Sequence, residues 1–114
     1  MKILLLCALV ALAPLHGAER HTYSTAEAKN HIGEDATVVG LVTKVSFARK
    51  AEFLNFDGEY PNQLFSAVIF AVDFDRVGEV KTYVGQKVAV TGTIKLYHGK
   101  PQINVKSSEA LKVQ

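Results

Sequence analysis

Cysteine is almost absent from this chain of 114 residues, and the one present, Cys7, lies in an apolar run near the N-terminus. The run extends from Ile3 to Ala13, follows the basic start Met1-Lys2, and is followed by a segment, Pro14–Ala18, that ends in small residues. It is shorter than the ~17 to 25 residues that span a bilayer, and its layout is typical of a secretory signal peptide. We therefore predict a signal peptide over residues 1–18.

Removal of that leader after Ala18 leaves a mature chain, residues 19–114, without cysteine. This excludes disulfides, thiolate metal sites and Cys-His catalysis, so the core alone must hold the fold in a secreted or periplasmic location. A chain of roughly 95 residues is enough for a single compact core. We predict one domain with no membrane span.

The chain also has little net charge, +2 in total and about +1 once Lys2 is removed. Net charge therefore favours no particular partner. The charges are nevertheless segregated, because Lys44–Lys50 and Lys95–Lys106 contain no acidic residue, whereas the acids concentrate in Phe53–Val80. The two acid-poor segments are the first candidates for contact with an anion.

Runs of β-branched and alternating apolar residues predict a mainly β domain with five strands. These strands cover Ala36–Phe47, Phe53–Phe56, Leu64–Phe74, Lys87–Tyr97 and a return strand through Ile103 and Val105. A short N-terminal helix is predicted within Thr22–Gly33 and a helical turn within Asp75–Gly85, between the third and fourth strands, whereas the tail after Lys106 is expected to fray. Gly40 predicts a bulge or a close backbone approach that bends the first strand.

This order of elements is that of a five-stranded Greek-key barrel, the OB-fold. The segments "TVVGLVTKV", "FLNFDGEYPNQLFSAVIF" and "YVGQKVAVTGTIKLYHGKPQI" resemble OB-fold nucleic-acid-binding domains of the anticodon-binding type, especially small bacterial forms found free or attached to nucleases. The resemblance extends from about Thr37 to Val105, and its sharpest part is "VTGTIKLYHGKPQI". It implies a small secreted form of that domain.

In this architecture the ligand lies over the second and third strands, between the loops that contain "FARKAE" and "YHGKP". Cations there would follow the phosphates of a single strand, and exposed rings would stack on its bases. Strand alternation predicts that Phe53, Asn55 and Phe65 turn outward. The candidate nucleic-acid-binding residues are Phe53, Phe65 and Tyr97 for stacking, Arg49, Lys50, Lys95 and Lys100 for phosphates, Asn55 and Gln102 for base edges, and His98 at the tip.

Each assignment has an alternative that the sequence leaves open. Phe53 and Phe65 could fill the barrel instead, since alternation fails at a bulge. Lys95 and Lys100 could simply discourage strand pairing at a solvated edge. Asp57 and Glu59 could hold a metal for a nuclease, but no arginine pair accompanies them, so we expect neither enzyme activity nor a metal or other cofactor.

Two functions remain for the predicted domain. The first is a secreted or periplasmic module that binds single-stranded DNA or RNA. The second is a secreted module that keeps the barrel but binds a protein, peptide or glycan, which the leader and the small net charge favour. An envelope protein or a nuclease is a further possible partner.

Overall fold

The structure, a computed structural model, describes residues 20–114, so the signal peptide predicted over residues 1–18 lies outside the described residues. The described part contains seven strands: β1 (Thr22–Ser24), β2 (Asp35–Ala48), β3 (Ala51–Phe56), β4 (Phe65–Phe70), β5 (Lys87–Tyr97), β6 (Lys100–Asn104) and β7 (Leu111–Val113). It also contains the short helix α1 (Phe74–Val77) and 3₁₀ helices at Ala28–Asn30, Ala71–Asp73, Lys81–Tyr83 and Ser108–Ala110.

Five of these strands close into a barrel in the order β2-β3-β4-β6-β5, with β5 returning to β2. The pairing of β4 with β6 is parallel, and the other pairings around the barrel are antiparallel. This is the Greek-key barrel predicted from the order of elements. The helical turn predicted between the third and fourth barrel strands is present as α1 and the 3₁₀ helix Lys81–Tyr83.

Strand β2 contributes to two sheets because it bends near its middle. Its first half, up to Leu41, pairs with β5, and its second half, from Val42, pairs with β3, with a register shift between Val42 and Lys44. Gly40 precedes the bend, and a Cβ there would collide with the side chains of Thr25 and Asp57. The close approach predicted at Gly40 is therefore confirmed, and the neighbours that require it are side chains from distant parts of the chain.

The barrel interior is filled by side chains that alternate along the strands. Leu54 and Phe56 of β3, Ile94 of β5 and Ile103 of β6 are fully buried, as the alternation predicts. Phe65 is also fully buried, with its ring 5.3 Å from that of Phe56 in an edge-to-face contact. The prediction that Phe65 turns outward is wrong.

The error in β4 has a physical cause. The strand ends at Phe70 instead of continuing to Phe74, and the chain turns into the 3₁₀ helix Ala71–Asp73. Val72, which falls within the predicted strand Leu64–Phe74, is 81% exposed, and Phe70 is 44% exposed. The five residues before Phe70 are buried on both faces of the strand, so their sequence carries no alternation from which to read direction.

Both ends of the described chain also differ from the prediction. Instead of one helix over Thr22–Gly33, β1 pairs in parallel with β2, and only Ala28–Asn30 is helical. The tail does not fray, because β7 pairs with β5 and Leu111 is buried against the core. Between Arg20 and Gln114, no helix is long and apolar enough to cross a membrane.

Candidate functional site

Two tight hairpin turns lie on the side of the barrel formed by the second half of β2 with β3, β4 and β6. Arg49-Lys50 joins β2 to β3, with Ala48 paired to Ala51. His98-Gly99 joins β5 to β6, and both residues have positive φ, 50° and 78°. Two positive φ values are characteristic of a type I′ turn, in which glycine is favoured at the second position.

A groove of about 460 Å³ extends between these turns. Its floor is formed by Ser46, Phe53, Asn55, Ser66 and Gln102, which lie on the outer face of the sheet. We refer to this cavity as the groove. It is the location that the barrel architecture predicts for a ligand.

The sides of the groove come from three connections. Phe47 and Ala48 approach it from the end of β2, and Tyr97, His98 and Lys100 from the second hairpin. Tyr60, Pro61 and Gln63 approach it from the segment between β3 and β4. The groove is therefore assembled from segments that are far apart in the chain.

A row of polar residues crosses the floor, because neighbouring strands place Lys44, Asn55, Ser66, Gln102 and Lys95 opposite one another. Asn55 is buried and hydrogen-bonded at both ends of its amide, since its Nδ2 donates to Ser46 Oγ at 2.9 Å and its Oδ1 accepts from Ser66 Oγ at 3.1 Å. The prediction that Asn55 points outward is correct for the strand face, but its amide is engaged in holding the floor. The side-chain amide of Gln102 has no hydrogen-bond partner among residues 20–114, so it is available to a ligand.

Aromatic side chains line the groove and differ in how far they are exposed. Phe53 is half-buried in the floor, whereas Tyr60 is 76% and Tyr97 52% exposed. The rings of Tyr97 and His98 meet edge to face, with centroids 4.2 Å apart. Exposed rings of this kind can stack on planar ligand groups.

The only charged residue that lines the groove within the described chain is Lys100. Its Nζ donates to the backbone oxygen of Gln63 at 3.1 Å, which fixes the ammonium beside the groove. Arg49 and Lys50 do not line it, but the preceding residue, Ala48, does, so their turn lies at the rim. Lys95 lies at the end of the polar row, opposite Gln102.

The structure therefore brings most of the predicted site residues together in the groove, namely Phe53, Asn55, Tyr97, His98, Lys100 and Gln102. Arg49, Lys50 and Lys95 lie outside its lining, and Phe65 is in the core, where it cannot stack on a ligand. The sequence prediction missed Tyr60 and Gln63. Tyr60 could have been identified from the sequence, because a tyrosine in the turn Tyr60-Pro61-Asn62 is expected to be exposed and follows a strand of the predicted ligand face.

Asp57 lies outside the groove and has a structural role. Its carboxylate accepts hydrogen bonds from Thr25 Oγ1 and from the backbone N–H of Leu41. Within residues 20–114, no group of three His, Cys, Asp or Glu side chains is arranged to hold a metal ion.

A second polar cluster lies near β1 and is named here the Glu34 cluster, formed by Glu34, Tyr23, His21 and His31. The Tyr23 hydroxyl donates to Glu34, whose carboxylate lies 3.3 Å from His21 Nδ1 and 3.1 Å from His31 Nδ1. The hydrogen bond to Glu34 raises the pKa of Tyr23 to about 12. The same bond, followed by that from His21, lowers the pKa of Glu34 below its ordinary value.

No protein-family model and no curated protein matches the chain. Solved structures do match it. OBody AM1L10, bound to hen egg-white lysozyme, overlaps with a TM-score of 0.60 at 18% identity, over 84% of this chain and 95% of that one. A protein assigned as an aspartyl-tRNA synthetase from Leishmania major overlaps with a TM-score of 0.57 at 12% identity, over 84% of this chain.

This chain spans only 21% of the Leishmania protein. An asparaginyl-tRNA synthetase from Pyrococcus horikoshii also overlaps, with a TM-score of 0.49 at 21% identity, over 75% of this chain and 20% of that one. At these identities the first two overlaps support the OB-type barrel and nothing about a ligand.

Proposed function

We propose that this protein is an exported OB-fold module that binds single-stranded nucleic acid in the groove. The observation that carries the proposal is the composition of the groove, in which exposed rings and a fixed lysine accompany neutral amides and hydroxyls. No aspartate or glutamate is among the described residues that line it. A polyanion therefore meets no charge repulsion from the lining.

Single strands fit this chemistry better than duplexes. Bases that are not stacked within a helix can lie against Phe53, Tyr60 and Tyr97, which would contribute ~1 to 3 kcal/mol per base. The free amide of Gln102 can hydrogen-bond a base edge, and Lys100 can contact a phosphate. Arg49, Lys50 and Lys95 would extend the positive potential along the rims.

Export is part of the proposal, and its support is the sequence of residues 1–18, with a basic start, an apolar run and small residues at its end. We propose that the protein acts by binding and not by catalysis. Single-stranded DNA or RNA outside the cytoplasm would be its ligand, with an envelope protein or a nuclease as a further partner.

Binding of a protein is the second candidate function, and the exposed rings of the groove favour it. OBody AM1L10, which shares the barrel, is in complex with hen egg-white lysozyme. Exposed tyrosines such as Tyr60 and Tyr97 are also common in protein interfaces. A peptide or glycan would use the same rings without needing the lysines.

Salt dependence tests the first function against the second. The purified protein should bind fluorescein-labelled oligo-dT with micromolar affinity at low salt, measured by anisotropy. The logarithm of the affinity should fall with the logarithm of the salt concentration, with a slope of ~0.7 for each phosphate neutralised. Binding of a neutral or weakly charged partner would lack this slope.

The variant for this test combines Lys100→Ala with Arg49→Ala, which we expect to weaken binding several-fold and to flatten the slope. The matched control combines Lys87→Ala with Lys112→Ala, which removes the same charge from the opposite sheet, where β5 pairs with β2 and β7. Absence of binding at low salt, or equal losses in both double variants, would reject nucleic-acid binding in the groove.

A further inference from the structure

A second cavity, of about 270 Å³, adjoins the groove at the β5–β6 hairpin. It shares Gln63 and Lys100 with the groove, and Lys29 lies at its other side. Lys29 belongs to the 3₁₀ helix Ala28–Asn30, in the N-terminal arm that packs beside the barrel. A ligand that fills the groove can therefore continue into this cavity past Lys100.

The second cavity is suited to an anion. Lys29 and Lys100 both line it, and no acidic residue does so among residues 20–114. Within the same residues, neither lysine forms an ion pair. Asp57 bonds the lining residue Thr25, and its carboxylate already accepts two hydrogen bonds.

Two features indicate that the boundary between the cavities is preorganised. The bond from Lys100 Nζ to the Gln63 backbone oxygen orders the ammonium and leaves it two further protons to donate. Gln63 itself is only 6% exposed, so the residue whose backbone oxygen accepts this bond is held in place by its surroundings. An ordered cation costs less conformational entropy on binding than a free one, because its rotamers are already restricted.

We propose that the second cavity is a phosphate subsite, in which Lys29 and Lys100 hold a backbone phosphate of the same single strand whose bases occupy the groove. This inference rests on the proposed function. Among residues 20–114, its lining includes two cations and no aromatic residue, which is the composition for a phosphate and not for a base. The strand would thus cross the hairpin next to Gly99, which presents no side chain there.

The test is an anisotropy titration of the purified protein with labelled dT12 over a range of salt concentrations. We expect Lys29→Ala to weaken binding several-fold and to reduce the slope of log affinity against log salt by ~0.7, the loss of one phosphate contact. Lys29→Arg, which keeps the charge, should bind within about twofold of the original protein, since an arginine also binds phosphate. The matched control is Lys112→Ala, an exposed lysine on β7.

The outcomes separate the two proposals. If the original protein binds dT12 and Phe53→Ala weakens it, but Lys29→Ala behaves like Lys112→Ala, the phosphate subsite is rejected and the groove remains. If the original protein does not bind dT12 at low salt, the proposed function is rejected and the subsite with it. A loss of affinity in Lys29→Ala that is absent from Lys112→Ala, with recovery in Lys29→Arg, supports the subsite.

Discussion

The groove and the Glu34 cluster are both polar, but they differ in how their groups are satisfied. In the Glu34 cluster, the carboxylate of Glu34 is contacted by Tyr23, His21 and His31. In the groove, the amide of the buried Asn55 is hydrogen-bonded, whereas the side-chain amide of Gln102 has no hydrogen-bond partner and Lys100 no ion-pair partner within residues 20–114.

This difference separates a structural cluster from a binding surface. A cluster whose hydrogen-bonding groups are paired with one another holds β1 against the barrel and leaves little for a ligand to gain. A groove that keeps the Gln102 amide unpaired and Lys100 without an ion pair, on a floor held by the hydrogen bonds of Asn55, can exchange water for a ligand at low cost.

The largest expected effect is on the stability of the fold and comes from the core beneath the groove. Phe65→Ala should lower the free energy of unfolding by about 3 to 5 kcal/mol, because it removes a fully buried ring in contact with Phe56. Urea denaturation followed by circular dichroism measures the loss. Phe53→Ala, at a half-buried position, should cost clearly less. Equal stability of Phe65→Ala and the original protein would contradict the burial of Phe65.

The second effect is on binding at the groove. Tyr97→Ala should weaken oligo-dT binding by about 1 to 3 kcal/mol, which is roughly 5-fold to 150-fold, because a base loses its stacking partner. Phe70→Ala is the control, since Phe70 is 44% exposed but lies outside the groove. Anisotropy titrations at one salt concentration compare the two. Similar losses in both variants would argue against a specific stacking site.

The third effect distinguishes the hydrogen-bonded amide of Asn55 from the unbonded side-chain amide of Gln102, both of which lie in the floor of the groove. Asn55→Ala should destabilise the protein by about 1 to 2 kcal/mol, because Ser46 and Ser66 lose their hydrogen-bond partner in a partly buried site. Gln102→Ala should leave stability nearly unchanged. Chemical denaturation of both variants is sufficient, and a larger loss in Gln102→Ala would invert the proposed roles.

The smallest effect concerns the Glu34 cluster and depends on pH. Because the folded-state pKa of Glu34 is lowered, its bond from Tyr23 stabilises the fold above the ordinary pKa of 4.5, and this is lost as pH falls through the lowered value. Because the pKa of Tyr23 is raised from 10.0 to about 12, the same stabilisation is lost as pH rises through that range.

Tyr23→Phe should therefore lower the Tm by no more than a few degrees between about pH 5 and pH 9, and the difference from the original protein should shrink in acid and in strong base. Tyr83→Phe serves as the control, since Tyr83 packs against the core and its hydroxyl has no hydrogen-bond partner in the described chain. A Tm difference for Tyr23→Phe that does not change with pH would contradict the assignment. Oligo-dT binding should not change in either variant.

The barrel could be predicted from the sequence because its strands carry local signals. Val88 and Val90 of β5 alternate with less apolar residues, and the type I′ turn is marked by Gly99. The strand β1 could not be predicted, since three residues without an apolar pattern become a strand only by pairing with the distant β2. The same holds for β7, which depends on its pairing with β5.

The site was predictable where it lies on regular strands and turns. Tyr97, Lys100 and Gln102 follow from the hairpin register, whereas Tyr60 and Gln63 lie in a connection without periodicity, whose direction is set by tertiary contacts. The side of the sheet to which Phe65 points could not be predicted, because β4 is buried on both faces. Prediction of the remaining site residues would have required the path of the loop between β3 and β4.

Gly40 joins parts of the molecule that the sequence keeps apart. Its missing side chain leaves room for Thr25, from the N-terminal arm, to bond Asp57, which begins the connection that carries Tyr60 and Gln63. The hydrogen bond between Thr25 and Asp57 thus holds the arm with Lys29 and the loop with Tyr60 at the same point of the barrel wall. A methyl group at Gly40 would push both the arm and the loop outward. The shape of the proposed binding surface is therefore controlled by a residue that would not contact the nucleic acid.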